Sequence, residues 1–144
     1  MSDTTGPSQL PPKGTVLVVD DEPDVRQIVG LLLRREGHEV LEAGDGEAAL
    51  HAVREAGNSI DAVLLDVMMP RMTGHEALPA IRELQPEMPV VFFSGYDRGE
   101  VTGHLQTATA HTTFVPKPFT NEQLLAAISE AISASSRHRG PRTP

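Results

Sequence analysis

Four stretches of this 144-residue chain each bring a chemically capable side chain to the end of an apolar run. "VLVVDD" ends in Asp20 and Asp21, "DAVLLD" in Asp66, "VVFFS" in Ser94 and "FVPK" in Lys117. An apolar run bounded by turn formers such as Pro70 and Gly74 is the mark of a buried parallel strand. Open α/β sheets gather their ligands beyond the carboxyl ends of such strands, so these five side chains are expected at one rim. Three carboxylates at close range repel one another unless a cation intervenes. Mg²⁺ fits, because it takes carboxylate oxygens and keeps its waters, whereas the chain has no Cys and no spaced His pair to suggest zinc. With Asp66 as nucleophile, Mg²⁺ and Lys117 as neutralising charges and Ser94 as a hydrogen-bond donor, the set suits phosphoryl transfer. Singly, each residue has a plainer role: Asp21 as a helix cap, Ser94 as a turn former, Lys117 as a solvated charge. Their convergence carries the functional reading.

Such a rim needs a scaffold, and the sequence describes one. Apolar runs alternate with helical patterns five times, through "TVLVV", "EVLEA", "DAVLL", "PVVFF" and "TTFV". That alternation predicts an α/β fold with a largely parallel sheet and helices on both faces. Pro23 suits the first position of a helix in which Val25, Ile28, Val29, Leu32 and Leu33 recur at core spacing up to Gly37. Asp45 can cap a second helix with Ala49, Ala52, Val53 and Ala56 on one face and Gly57 as its stop. Thr73 with Glu76, and Thr120 with Gln123, have capping-box spacing ahead of Leu78/Ile81 and Leu124/Leu125/Ile128. Pro79 lies inside the third helix and predicts a kink or a late start. A helix over 98–108 has only Val101 and Leu105 as large anchors, which makes it the loosest element expected. Pro116 marks the fifth strand as an edge.

The bulk properties narrow the function class. One ordered domain over 14–134 is expected, between a flexible tail at 1–13 and a flexible basic tail at 135–144 that carries Arg137, Arg139 and Arg142. The net charge of −8 opposes direct binding to nucleic acid, whose phosphates demand a basic surface. The chain has no apolar run of the roughly 18 residues needed to span a membrane, and "MSDTTGPSQLPPKG" lacks the features of an export signal. A soluble cytoplasmic protein is the expectation. The six His residues form no tight ligand pair and read as surface positions. "GDGEAA" at 44–49 mimics a dinucleotide fingerprint, with Asp66 twenty residues beyond Gly46. It follows the second strand rather than the first, and Asp45 would set a carboxylate against the pyrophosphate, so cofactor binding is not expected there.

In order and spacing, "VLVVDDEPDVR", "LLDVMMPRMTG", "FFSG" and "FVPKPF" resemble the receiver domain of two-component response regulators. The likeness runs from Thr15 to about Ala134. It implies a flavodoxin-like doubly wound (βα)5 fold with strand order 2-1-3-4-5. It further implies that Asp66 accepts a phosphoryl group from a histidine kinase or a histidine phosphotransfer protein. Asp20, Asp21, Asp66 and the backbone carbonyl of Met68 would hold Mg²⁺, and Ser94 and Lys117 would complete the site. Ser94 and Phe114 would act together as the switch, reshaping the surface of the fourth strand, the following helix and the fifth strand for a downstream protein target. Such a protein catalyses only its own phosphorylation and dephosphorylation and turns over no external substrate; a homodimer is left open. The alternative is a Mg²⁺-dependent hydrolase with an aspartyl-phosphate intermediate.

Overall fold

The computed structural model describes residues 14–66, 74–94, 112–116 and 120–134. Five strands, β1 (Thr15–Val19), β2 (Glu39–Ala43), β3 (Ala62–Asp66), β4 (Val90–Ser94) and β5 (Thr112–Pro116), pair in parallel in the order β2-β1-β3-β4-β5. This is the doubly wound order that the resemblance to receiver domains implies, and it leaves β5 at an edge, as Pro116 indicates. The described helices are α1 (Pro23–Arg35), α2 (Gly46–Ala56), α3 (Gly74–Leu84) and α4 (Asn121–Ala134), with a 3-10 turn at Gly57–Ser59. None is long and apolar enough to cross a membrane.

The two-residue period of a strand divides the core. Leu17, Val19, Val63, Leu65, Val90 and Phe92 face α2 and α3, where Ala49, Leu50, Val53, Ala77, Leu78 and Ile81 complete one cluster. Val16, Val18, Ala62, Leu64, Val91 and Phe93 point the other way, against Val29 and Leu33 of α1 and Leu124, Ile128 and Ile132 of α4. Burial on both faces explains why β1, β3 and β4 read as unbroken apolar runs.

Local signals account for most helix ends. Asp45 caps α2 by accepting from the Ala48 N–H at 2.8 Å. Thr120 and Gln123 form a reciprocal capping box: the Gln123 N–H donates to Thr120 Oγ1 at 3.0 Å and the Thr120 N–H donates to Gln123 Oε1 at 2.9 Å. Thr120→Ala is therefore expected to cost about 1 kcal/mol, read as a lower urea midpoint at unchanged slope. At the end of α1, Gly37 takes φ 100°, the Gly37 N–H donates to the Arg34 carbonyl and the His38 N–H to that of Leu33. That is the Schellman pattern, which calls for glycine at this position.

Several expectations need correction. Ile28 falls at core spacing but is 68% exposed, because α1 presents only Val29, Gly30 and Leu33 fully to the sheet; Val25 and Leu32 are half-buried. Gly57 does stop α2, which ends at Ala56, but without a left-handed turn: the chain passes into the 3-10 turn, and a Cβ on Gly57 would come within 2.7 Å of Gln85 Nε2. Of the kink or late start expected of α3, the late start is absent, since the helix begins at Gly74, five residues before Pro79. Pro79 lies on the exposed side, where water can satisfy the carbonyl it frees. His38 is buried, with Nδ1 3.3 Å from the Gly14 carbonyl, rather than at the surface. Asp61 and Arg82 also serve the fold. Asp61 Oδ2 accepts from the Thr15 N–H at 2.8 Å. The guanidinium of Arg82 donates to the Met88 carbonyl and, at 3.0 Å, to Thr112 Oγ1, and its burial pulls its pKa below the usual guanidinium value. Thr73, the 98–108 helix and the two tails lie outside the described residues.

Candidate functional site

The site is built where β1 and β3 run out together. Their register pairs Val19 with Leu65, so Asp20 and Asp66 follow at adjacent strand ends. Asp66 is the last residue of β3 and only 6% exposed. Asp20 is fully buried, its N–H donating to the Ala43 carbonyl at 3.2 Å and its Oδ1 accepting from the Glu22 N–H at 2.8 Å. This local turn frees the chain to start α1 at Pro23 while holding the first acid in place. Asp21, half-buried, adds the third carboxylate. One oxygen from each of Asp20, Asp21 and Asp66 lies within 4.8 Å of the others.

Three oxygens so close set the electrostatics. At an effective dielectric constant of about 20, two unit charges at that separation repel by about 3 kcal/mol. Burial removes water that would otherwise screen them. An all-carboxylate donor set with an accessible third member is suited to a hard divalent cation that retains waters, so these residues fit Mg²⁺.

Of the remaining predicted residues, Ser94 and Phe114 stand on described strands and the others do not. Asp66 pairs with Phe93, and Ser94, one residue further along β4, pairs with Pro116. Ser94 is thus at the same rim, one strand over from Asp66. Phe114 pairs with Phe92 in the β4 to β5 register. Met68 and Lys117 lie outside the described residues, although Lys117 directly follows the last residue of β5 in the sequence. The dinucleotide mimic is answered by Asp45, whose own carboxylate occupies the N-terminus of α2.

One residue at the site was given no role from the sequence. Arg26 Nη1 donates to the Asp20 carbonyl at 2.6 Å, and its Nε donates to Glu42 Oε1 at 3.4 Å. A signal was present in its position: a cation four residues into a helix opposes the helix dipole by about 0.3–1 kcal/mol. A charge-assisted hydrogen bond contributes about 1.5–3 kcal/mol, enough to outweigh that cost.

Comparison with known proteins places this geometry in a family. The sequence profile described as "Response regulator receiver domain" matches residues 16–129. The chain belongs to the response regulator receiver family. The receiver is 36% identical over 125 residues to the Sensor kinase CckA of Brucella abortus, covering 87% of this chain and 13% of that protein. It is 39% identical over 112 residues to the probable transcriptional regulatory protein TcrX of Mycobacterium tuberculosis, covering 77% of this chain and 46% of that one. A response regulator receiver domain protein from Clostridium thermocellum superposes with a TM-score of 0.78 at 32% identity, over 83% of this chain and 94% of that one. The receiver spans from 13% to 55% of the length of these and similar curated relatives. Phosphoryl acceptance within two-component signalling is the function of such domains, and the family match does not favour the hydrolase alternative.

Proposed function

We propose that Asp66 is the phosphoacceptor of this receiver and that Asp20, Asp21, Asp66 and the Met68 carbonyl hold Mg²⁺ beside it. The observation that carries the assignment is the convergence of three acidic side chains within 4.8 Å at the carboxyl ends of β1 and β3. In the proposed step, an Asp66 carboxylate oxygen attacks phosphorus of a phosphohistidine. The phosphorus–nitrogen bond breaks, its electron pair stays on the imidazole, and an acyl phosphate forms. Mg²⁺, when bound, neutralises charge on the acidic cluster and on the phosphoryl oxygens. Lys117 supplies a second positive charge and Ser94 a hydroxyl that hydrogen-bonds a phosphoryl oxygen.

The donor is a histidine kinase or a histidine phosphotransfer protein in the cytoplasm. Movement of Ser94 toward the phosphoryl group and of Phe114 behind it reshapes the surface around β4 and β5 for a protein target. The protein performs its own phosphorylation and dephosphorylation and turns over no external substrate. Incubation with acetyl phosphate and Mg²⁺ is expected to yield a single phosphoryl adduct by intact mass, located at Asp66 by peptide mapping and absent when EDTA is added. An adduct at another residue refutes the assignment, and repeated turnover of a phosphoester would establish the hydrolase instead.

A further inference from the structure

Asp20 is held at its N–H, its carbonyl and its side chain, and a charged side chain supplies one of these constraints. Its N–H is bound to the Ala43 carbonyl, its Oδ1 to the Glu22 N–H and its own carbonyl to Arg26 Nη1 at 2.6 Å. The same guanidinium reaches Glu42 Oε1 at 3.4 Å and packs beside Gly44, where a Cβ would lie 3.4 Å from Nη1. Arg26 thus joins α1, the end of β1 and the edge strand β2 in a single span. Glu42 also binds Arg34, at 3.6 Å, so its carboxylate does not depend on Arg26 alone for a cation.

We infer that Arg26 is a positioning residue for the metal site, clamping the Asp20 carbonyl so that the buried carboxylate stays aimed at Asp21 and Asp66 before any ion arrives. The inference rests on the assignment of Mg²⁺ to those three acids. Its physical basis is the fixed geometry that Mg²⁺ demands of its ligands and the cost of assembling like charges. A peptide held at the N–H, the carbonyl and the side chain has no freedom to swing its carboxylate away from the repulsion. Loss of the carbonyl clamp restores that freedom, and metal binding must then reassemble the site. A residue that only braces α1 against β2 through Glu42 would affect stability and leave metal affinity alone.

The test is calorimetric titration of the 144-residue chain with Mg²⁺, alongside thermal melts in EDTA. Arg26→Ala is expected to weaken Mg²⁺ binding about tenfold, as loss of a supporting contact behind a metal ligand does. Arg26→Lys, which retains a charged donor, is expected to recover part of that loss. Glu42→Gln removes the ion pair but not the carbonyl clamp, and should lower the melting temperature without changing Mg²⁺ affinity. Should Arg26→Ala fail to fold, Arg26→Gln against Arg26→Lys makes the same comparison. Wild-type affinity in Arg26→Ala, or an equal loss in Glu42→Gln, overturns the inference while Asp20→Asn still abolishes binding. Absence of Mg²⁺ binding to the wild-type protein overturns the assignment of the metal site itself, and the inference with it.

Discussion

Asn in place of Asp66 is expected to end phosphoryl acceptance and, in the absence of metal, to make the protein more stable. The first effect follows from chemistry, since a carboxamide is a poor nucleophile for phosphorus and leaves no acyl phosphate to form. The second follows from the cluster. Asp66 contributes one of three carboxylates whose oxygens lie within 4.8 Å, and two of the three are buried. Removing its charge relieves two like-charge contacts of about 3 kcal/mol each at an effective dielectric constant of about 20. Relaxation and residual water return most of this, and a buried amide whose N–H groups lacked acceptors would cost about 1–3 kcal/mol. Here an oxygen of Asp20 and one of Asp21 lie within 4.8 Å, so a small shift brings the amide to an acceptor, and a net gain of about 1 kcal/mol is expected from the smaller repulsion. Urea unfolding in EDTA, with intact mass after acetyl phosphate treatment, reads both effects. Saturating Mg²⁺ should reverse the order, because the wild-type protein gains about 2.7 kcal/mol at a hundred times its dissociation constant. A variant that still takes up phosphate contradicts the assignment of Asp66, and one that unfolds more easily without metal contradicts the repulsion argument.

The residues that reported themselves in the sequence are those whose physics is local or periodic. Each of β1, β3 and β4 is buried on both faces, which leaves a continuous apolar run in the sequence, and the acid or hydroxyl that ends each run is conspicuous against it. The runs do not themselves say which strands are neighbours; the order that the resemblance implies, with β1 beside β3, is what places Asp20, Asp21 and Asp66 together. The Thr120–Gln123 box was equally readable, because both of its bonds close within three residues. Spacing misplaces Ile28 for a definite reason. The first helix offers Val25, Ile28, Leu31, Leu32 and Leu33 around more of its circumference than the sheet covers, and spacing alone does not say which apolar stripe turns inward. His38 and Arg26 escaped because their roles depend on groups distant in sequence. His38 lies against the carbonyl of Gly14, twenty-four residues away, and Arg26 joins the end of β1 to an edge strand sixteen residues on. The "GDGEAA" mimic failed on placement: the same signals that suggest a nucleotide cradle also describe a helix capped by its own Asp45.

Phe92→Ala should produce the largest loss of stability, about 3–5 kcal/mol. Phe92 is fully buried on β4, between Leu65 of β3 and Phe114 of β5 in the sheet register, and belongs to the cluster with Ile81 and Met88. Truncation forfeits the transfer free energy of a benzyl group and leaves a void that a sheet flanked by α2 and α3 can only partly close. Against the 5–15 kcal/mol typical of whole domains, a loss of this size brings the variant close to unfolding at ordinary temperatures. Phe92→Leu should retain much of that loss as buried area and fall nearer to wild type. Urea denaturation is the measure, and a midpoint shift at unchanged slope is the expected form. Function should separate from stability here. The acidic cluster stands on β1 and β3, whose pairing does not involve Phe92, so the folded fraction of Phe92→Ala in the cold should bind Mg²⁺ as the wild type does. A fall in metal affinity that matches the fall in stability would mean that the rim of β3 is held from β4, and that the site owes its geometry to the packing beneath it as much as to Asp20.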